Sequence, residues 1–202
     1  MRISFKYKFI FLSKPRCASE SIRAMLDDYS DIKSTSSPPF YHHATALELK
    51  HYFDKKSWRW EEYFKFISIR NPWDMLVSLY HYSKPDLNGL YFWHENTKKR
   101  TYQPGKLMEF TDWIERNDFY FWRLERFILD EKGHSLVDLI IKVEELEKGL
   151  NHFFDHVHLP RVNVPHINTT RHRNYKGYYT TSTKMKIEKL FKFEIEMGEY
   201  KF

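Results

Sequence analysis

Short apolar runs alternate along this chain with longer stretches in which apolar residues recur at helical spacing. Phe9–Leu12 is four apolar residues in a row and reads as the first strand, followed by a polar loop over Ser13–Ser21 and a helix over Ile22–Tyr29. Asp31–Phe40 is rich in Ser, Thr and Pro and reads as loop, and Ala44–Phe53 as a helix with Leu47, Leu49 and Phe53 facing the core. Phe64, Phe66, Ile67 and Ile69 are aromatic or β-branched and suit a strand inside a sheet. Pro72 then stands where a first helical residue belongs, with Asn71 as N-cap and Asp74 in the acidic first turn, so a helix runs on to about Tyr82. Helical segments follow at Leu107–Arg116 and Phe119–Leu129, a strand at Leu136–Val143, a helix at Glu145–His156, a loop at Leu159–Tyr179 and a closing amphipathic helix at Thr183–Glu199. Ser83–Gly105 carries Pro, Gly, Asn and many charges and reads as an irregular insertion or lid. There is no internal repeat.

Strands alternating with helices predict an α/β fold, with a central, mainly parallel sheet flanked by helices in a single domain over residues 1–202. In such sheets ligands sit at the carboxyl ends of the strands. Composition narrows the ligand. The net charge of +6 suits an anion, although a nucleic acid or a membrane surface would satisfy it equally. With 17 Phe and 14 Tyr the core is ring-rich. A single cysteine, Cys17, excludes an intrachain disulfide and favours a reducing, cytoplasmic setting. Lys6, Lys8 and Lys14 interrupt the amino end, so it lacks the apolar core of a signal peptide, and no later stretch reaches membrane-spanning length.

Two loops at strand exits carry anion chemistry. Arg70 leaves the Phe64–Ile69 strand just before a helix N-terminus, where free amides, the helix dipole and a forked guanidinium favour phosphate. Pro15-Arg16-Cys17-Ala18-Ser19-Glu20-Ser21-Ile22 follows the first strand and offers the Ser19 and Ser21 hydroxyls beside another helix start. Taken alone, that loop reads more readily as an ordinary serine cap with a solvated arginine. It is not a Walker A loop, since no glycine or lysine lies between Pro15 and Ile22.

Together the two loops resemble those of the sulfotransferase superfamily, which uses 3′-phosphoadenosine 5′-phosphosulfate (PAPS), and most closely the carbohydrate sulfotransferases and their short bacterial-type relatives. Lys14–Ser21 is similar to the family's 5′-phosphosulfate loop, and Phe66–Asp74 with Ser78-Leu79-Tyr80 to its 3′-phosphate motif. Val164-Pro165-His166-Ile167-Asn168, Tyr178-Tyr179-Thr180 and Met197–Phe202 resemble its tail. The resemblance implies a three-layer, P-loop-like fold, and no metal is expected, since no Cys or acidic ligand accompanies the adjacent His42 and His43 at zinc spacing. It implies that Arg70 and Ser78 hold the 3′-phosphate, and that Cys17, Ala18, Ser19, Glu20, Ser21 and Ile22 surround the 5′-phosphate. Arg16 takes the place of the family's lysine, which stabilises charge on the bridging oxygen during transfer. Arg keeps the charge but changes its shape, and Glu20 puts a carboxylate where a small hydroxyl residue is usual. Arg171 and Arg173 fall where relatives close a basic loop over the nucleotide. The product would be 3′,5′-ADP and the acceptor a hydroxyl, with a saccharide favoured by the subfamily.

Transfer to a hydroxyl needs a base, and relatives place a histidine between the two phosphate motifs. His43, just before the Ala44–Phe53 helix, fits best, with His42 as the fallback. Blander readings fit elsewhere. Cys17 is a small packing residue, Trp58-Arg59-Trp60 with Tyr63 is core packing, and Glu144-Glu145 begins a helix. Lys98-Lys99-Arg100 is a solvated run or the lining of an acceptor cleft. A kinase-like phosphotransferase is disfavoured by the missing Walker A lysine, and a nucleic-acid-binding module by the lack of any recognised motif.

Overall fold

The computed structural model describes residues 1–83, 107–165 and 172–202. In chain order the elements are β1 (Arg2–Ser4), β2 (Phe9–Leu12), α1 (Ser19–Leu26), β3 (Ile32–Lys33), α2 (Ala46–Lys55), β4 (Phe64–Ile69), α3 (Pro72–Ser83), α4 (Phe110–Arg116), α5 (Leu124–Ile128), β5 (Leu139–Lys142), α6 (Leu146–Val157), α7 (Thr181–Leu190) and α8 (Lys192–Gly198). Short 3₁₀ turns join several of them. The chain divides into two compact units, Met1–Arg70 with Phe121–Thr169, and Asn71–Tyr120 with Thr170–Phe202. The expected lid beyond Ser83, and the Lys98–Arg100 run within it, lie outside the described residues.

The first unit holds a five-stranded mixed sheet in the order β3-β1-β2-β4-β5. Its core is parallel, β2 to β4 to β5, while β1 runs antiparallel to both β2 and β3. β1 and β3 are three and two residues long, too short to register as periodicity, so the sequence pattern shows only the parallel part. Phe9, Phe11, Phe66 and Ile141 pack one face of the sheet against Ile22, Met25 and Leu26 of α1 and Leu150, Phe153, Phe154 and Val157 of α6. Phe11 lies opposite Phe66 in register, and Phe66 meets Phe153 at 4.3 Å between ring centroids. This burial of aromatic area stabilises the unit. A Cβ on Gly149 would come within 2.4 Å of Ile141, so only glycine lets α6 lie this close to β5.

Several element boundaries in this unit differ from the sequence expectation. α2 starts at Ala46 rather than Ala44, because Thr45 and Glu48 form a reciprocal capping box. β5 begins at Leu139 because Ser135 bridges back to Leu129 and the Leu136 amide donates to the Ile128 carbonyl (2.7 Å) instead of joining the sheet. α1 begins at Ser19, three residues early, and ends in a 3₁₀ turn at Asp27–Tyr29. Phe53 of α2 meets Trp58, Trp60 and Tyr63 edge to face at 5.1–5.3 Å, so that cluster is packing.

The second unit is helical. α3 buries Trp73, Met75, Leu76, Val77 and Leu79. Tyr179 donates to the Trp73 carbonyl (2.8 Å), the Trp73 indole donates to the Lys184 carbonyl (3.3 Å), and Phe202 lies 5.4 Å from the Trp73 ring. The single closing helix expected over Thr183–Glu199 is two, α7 and α8, broken at Phe191 (φ −109°, ψ 24°), whose ring is fully buried. The expected Phe119–Leu129 helix is likewise split, since Phe119 has positive φ (54°) and Arg123 is extended. In both places ring packing overrides helical periodicity.

Candidate functional site

The loop after β2 has no glycine, yet it makes two left-handed backbone turns, at Arg16 (φ 61°) and Ala18 (φ 57°). Each costs about 1–2 kcal/mol for a residue with a side chain, and such strain gathers at ligand clamps. Ala18 is the N-cap of α1 and no side chain caps that helix. Cys17 is fully buried, and its carbonyl accepts a hydrogen bond from Ser68 of β4 (2.5 Å), which ties the loop to the sheet. Ser19 and Ser21 are buried on the first turn of α1, while Arg16 is only partly covered.

Glu20 does not confront a phosphate unopposed. It is exposed and pairs with Arg23 one turn on, itself buried on α1. Burial pushes the Glu20 carboxyl up, but the hydrogen bond and charge of Arg23 outweigh this and hold it below the usual carboxylate range. The three-residue spacing of Glu20 and Arg23 is visible in the sequence as a helical ion pair. Lys14, just ahead of Arg16, is fully buried with Nζ 3.9 Å from Cys17 Sγ.

His43 occupies a turn ahead of α2, three residues before its first helical position. Its Nδ1 donates to the carbonyl of Ser13 (2.7 Å), the residue that follows β2 and leads into the Pro15–Ile22 loop. That bond fixes the proton on Nδ1 and leaves Nε2 as the proton acceptor. Burial lowers its pKa to about 4, the Ser13 carbonyl opposes this, and the Arg23 charge adds to the lowering, so the ring is neutral at neutral pH. His42 is turned to other work. It is exposed, its Nδ1 lies 3.0 Å from Ser34 Oγ, and its carbonyl accepts from the Met1 amino group (3.0 Å). Burial and Arg23 lower its pKa as well.

The turn from β4 into α3 is built differently. Asn71 is the N-cap, as its sequence position predicts, and its Oδ1 accepts from the amides of Trp73 (3.1 Å) and Asp74 (3.4 Å). Asn71 Nδ2 also donates to Tyr175 Oη (3.4 Å) and the Lys201 carbonyl (3.3 Å). The free helix amides expected beside Arg70 are therefore already used, and any anion binding at this turn falls to side chains. Arg70 is partly buried at the exit of β4, and Ser78 is fully buried on α3. Arg173 is exposed with its guanidinium 4.9 Å from the centre of the Tyr178 ring. Arg171 and the His166–Asn168 part of the tail lie outside the described residues.

Among the described residues no group of three or more His, Cys, Asp or Glu side chains could hold a metal ion. Nor is any helix among them long and apolar enough to cross a membrane. Comparison with known proteins adds family to geometry. No curated protein sequence matches the chain. The solved structure of mouse sulfotransferase SULT7A1 complexed with PAP is similar to it with a TM-score of 0.54 at 13% identity, over 96% of this chain and 86% of that one. A likeness at that identity speaks for the fold. The model of the sulfotransferase family matches residues 1–201. The chain therefore belongs to the sulfotransferase family, the enzymes that draw a sulfuryl group from PAPS.

Proposed function

We propose that this protein transfers a sulfuryl group from PAPS to a hydroxyl of a saccharide acceptor by in-line displacement. His43 Nε2 takes the acceptor proton as the oxygen attacks sulfur. The bond from sulfur to the bridging oxygen of the 5′-phosphate breaks, and 3′,5′-ADP leaves. Arg16 carries the charge that develops on that oxygen. Cys17, Ala18, Ser19, Glu20, Ser21 and Ile22 surround the 5′-phosphate, Arg70 and Ser78 hold the 3′-phosphate, and Arg171 and Arg173 cover the nucleotide.

The observation that carries this reading is the hydrogen bond from His43 Nδ1 to the Ser13 carbonyl (2.7 Å). It ties a neutral imidazole to the backbone just ahead of the phosphate loop, where a base and a sulfuryl donor must meet. The uncapped start of α1 and the left-handed Arg16 and Ala18 support a loop shaped around an anion. The saccharide rests on the subfamily resemblance alone. We read residues 1–202 as one catalytic domain because the family model runs through both compact units. The lone, buried Cys17 supports a reducing, cytoplasmic setting.

Calorimetry tests the donor. 3′,5′-ADP should bind more tightly than ADP or ATP, and equal affinities would overturn the assignment. Radiolabelled PAPS offered with a panel of neutral and acidic oligosaccharides tests the acceptor, and labelling of proteins or small phenols instead would replace the saccharide.

A further inference from the structure

Asp74, Ser78 and His81 recur at four and three residues along α3 and so share one stripe of the helix. The side chains around that stripe form a polar cluster, all of it within the second unit, of which the proposed mechanism uses only Ser78 and Arg173. His81 Nε2 lies 2.8 Å from Tyr178 Oη. Its ring stacks on His172, with centroids 5.9 Å apart and planes only 8° from parallel. His172 Nδ1 donates to the Arg173 carbonyl (2.9 Å), and His172 Nε2 lies 3.8 Å from Asp74 Oδ1. Arg173 stands over Tyr178, and Tyr80 meets the His81 ring edge-on at 5.4 Å. Thus the candidate nucleotide-covering arginine, Arg173, and the helix bearing Ser78 are linked through two imidazoles.

We propose that His81 is a further ligand-side group for the nucleotide 3′-phosphate, and that it takes up a proton when a 3′-phosphorylated nucleotide binds. The proposal rests on the assignment of the 3′-phosphate to Ser78 and Arg70. Two stacked imidazoles next to a guanidinium do not readily carry positive charge together, while Asp74, 3.8 Å from His172 Nε2, and Glu109, whose charge acts on the neighbouring Tyr80, bring negative charge to their surroundings. In the free protein burial lowers the pKa of His81, and His172 and Arg173 lower it further, so the ring is neutral at neutral pH. A phosphate dianion beside Ser78 reverses the sign of the local field. The proton then enters at His81 Nε2, which turns from accepting the Tyr178 hydroxyl proton to donating toward Tyr178 Oη, and the charge helps to hold the dianion. A nucleotide without the 3′-phosphate offers no such reversal. His81 would thereby sharpen the distinction between PAPS and ordinary adenylates.

Calorimetry of 3′,5′-ADP and of ADP at pH 7, in two buffers of different ionisation enthalpy, counts the protons exchanged. We expect 3′,5′-ADP binding to take up more protons than ADP binding. His81→Asn should abolish the difference, weaken 3′,5′-ADP several-fold and leave ADP affinity unchanged. Equal proton counts for the two nucleotides, or a difference that persists in His81→Asn, would overturn the inference. The wild-type protein gives an independent readout by NMR. The His81 ring resonance should titrate at higher pH in the 3′,5′-ADP complex than in the free protein, and an unmoved midpoint would overturn the inference even if His81→Asn failed to fold. Should 3′,5′-ADP bind no more tightly than ADP, the donor assignment falls, and this inference with it. That result is distinct from tight binding without proton uptake.

Discussion

Two strand-to-helix turns in this protein look alike in sequence and are built in opposite ways. After β2, the chain takes two left-handed steps at Arg16 and Ala18 and enters α1 without a side-chain cap. After β4, Asn71 closes the first turn of α3 on itself, with its side chain on the Trp73 and Asp74 amides. The first turn carries backbone strain, and its N-cap residue, Ala18, has no side chain that could take the helix amides. The second is relaxed and satisfied, and the proposed recognition there rests on the Arg70 and Ser78 side chains alone. A strand running into a helix is thus not an anion site by topology alone. What decides is whether a cap has already taken the amides.

The sharpest way to break this contrast is at the histidine beside the first turn. His43→Ala removes the imidazole anchored on Ser13, and turnover should fall by about 10²–10⁴-fold, the usual yield of general base catalysis. Binding of 3′,5′-ADP should persist in calorimetry. Undiminished turnover would reject His43 as the base, while loss of nucleotide binding would show that its anchor serves the loop instead.

At the second turn the expected effect is smaller and of another kind. Arg70→Ala removes a charged donor assigned to the 3′-phosphate. A charge-assisted hydrogen bond of about 1.5–3 kcal/mol corresponds to a loss of roughly 10- to 150-fold in affinity. The loss should appear for 3′,5′-ADP and be nearly absent for ADP. A uniform loss for both nucleotides would mean that Arg70 supports the fold or the 5′ side rather than the 3′-phosphate.

The acidity of His43 gives a third, milder test. A base acts while neutral, and burial lowers this histidine from 6.5 to about 4. The acid limb of kcat/KM should therefore fall near pH 4 rather than near 6.5, provided the fold survives there. The same shift acts on stability. Below about pH 6.5 the unfolded chain protonates this ring while the folded chain resists until about 4, so stability declines as pH falls across that window, by at most about 3 kcal/mol. In His43→Gln that part of the decline should vanish from melting curves recorded between the two values.

The contrast between the turns also marks how far the sequence could be read. The parallel strands β2 and β4 were legible to the residue, because Phe9–Leu12 is an unbroken apolar run and Phe64–Ile69 sets aromatic or β-branched residues at four of its six positions. Asn71-Pro72 announced the start of α3 through local chemistry that needs no tertiary context. β1, β3 and the break at Phe191 were not legible. Two- and three-residue strands have no period, and the break is set by a buried ring on partners distant in sequence. The same division runs through the site. Loop residues such as Ser19 and His43 stood out by type and spacing. Buried Lys14, the Ser13 carbonyl that orients His43 and the stacking of His81 on His172 depend on contacts between residues up to 91 positions apart. What Asn71 withholds from a ligand could likewise be seen only once its Oδ1 was placed.

Removing that cap is the gentlest of the four perturbations and the one aimed most directly at the comparison. Asn71→Ala frees the Trp73 and Asp74 amides and also loses the links from Asn71 Nδ2 to Tyr175 and to the Lys201 carbonyl. Loss of a cap costs about 1 kcal/mol, roughly 2–4 °C in Tm for a chain of this size. If closed amides are what keep the start of α3 from binding anions, the variant should gain weak protection by sulfate, its Tm rising with added sulfate more than the wild type's. Chloride at matched ionic strength separates this from general salt effects. A variant that melts lower but responds to sulfate as the wild type does would show that the cap serves stability alone. The difference between the two turns would then lie in the strained loop at Arg16 and Ala18 rather than in the satisfied one at Asn71.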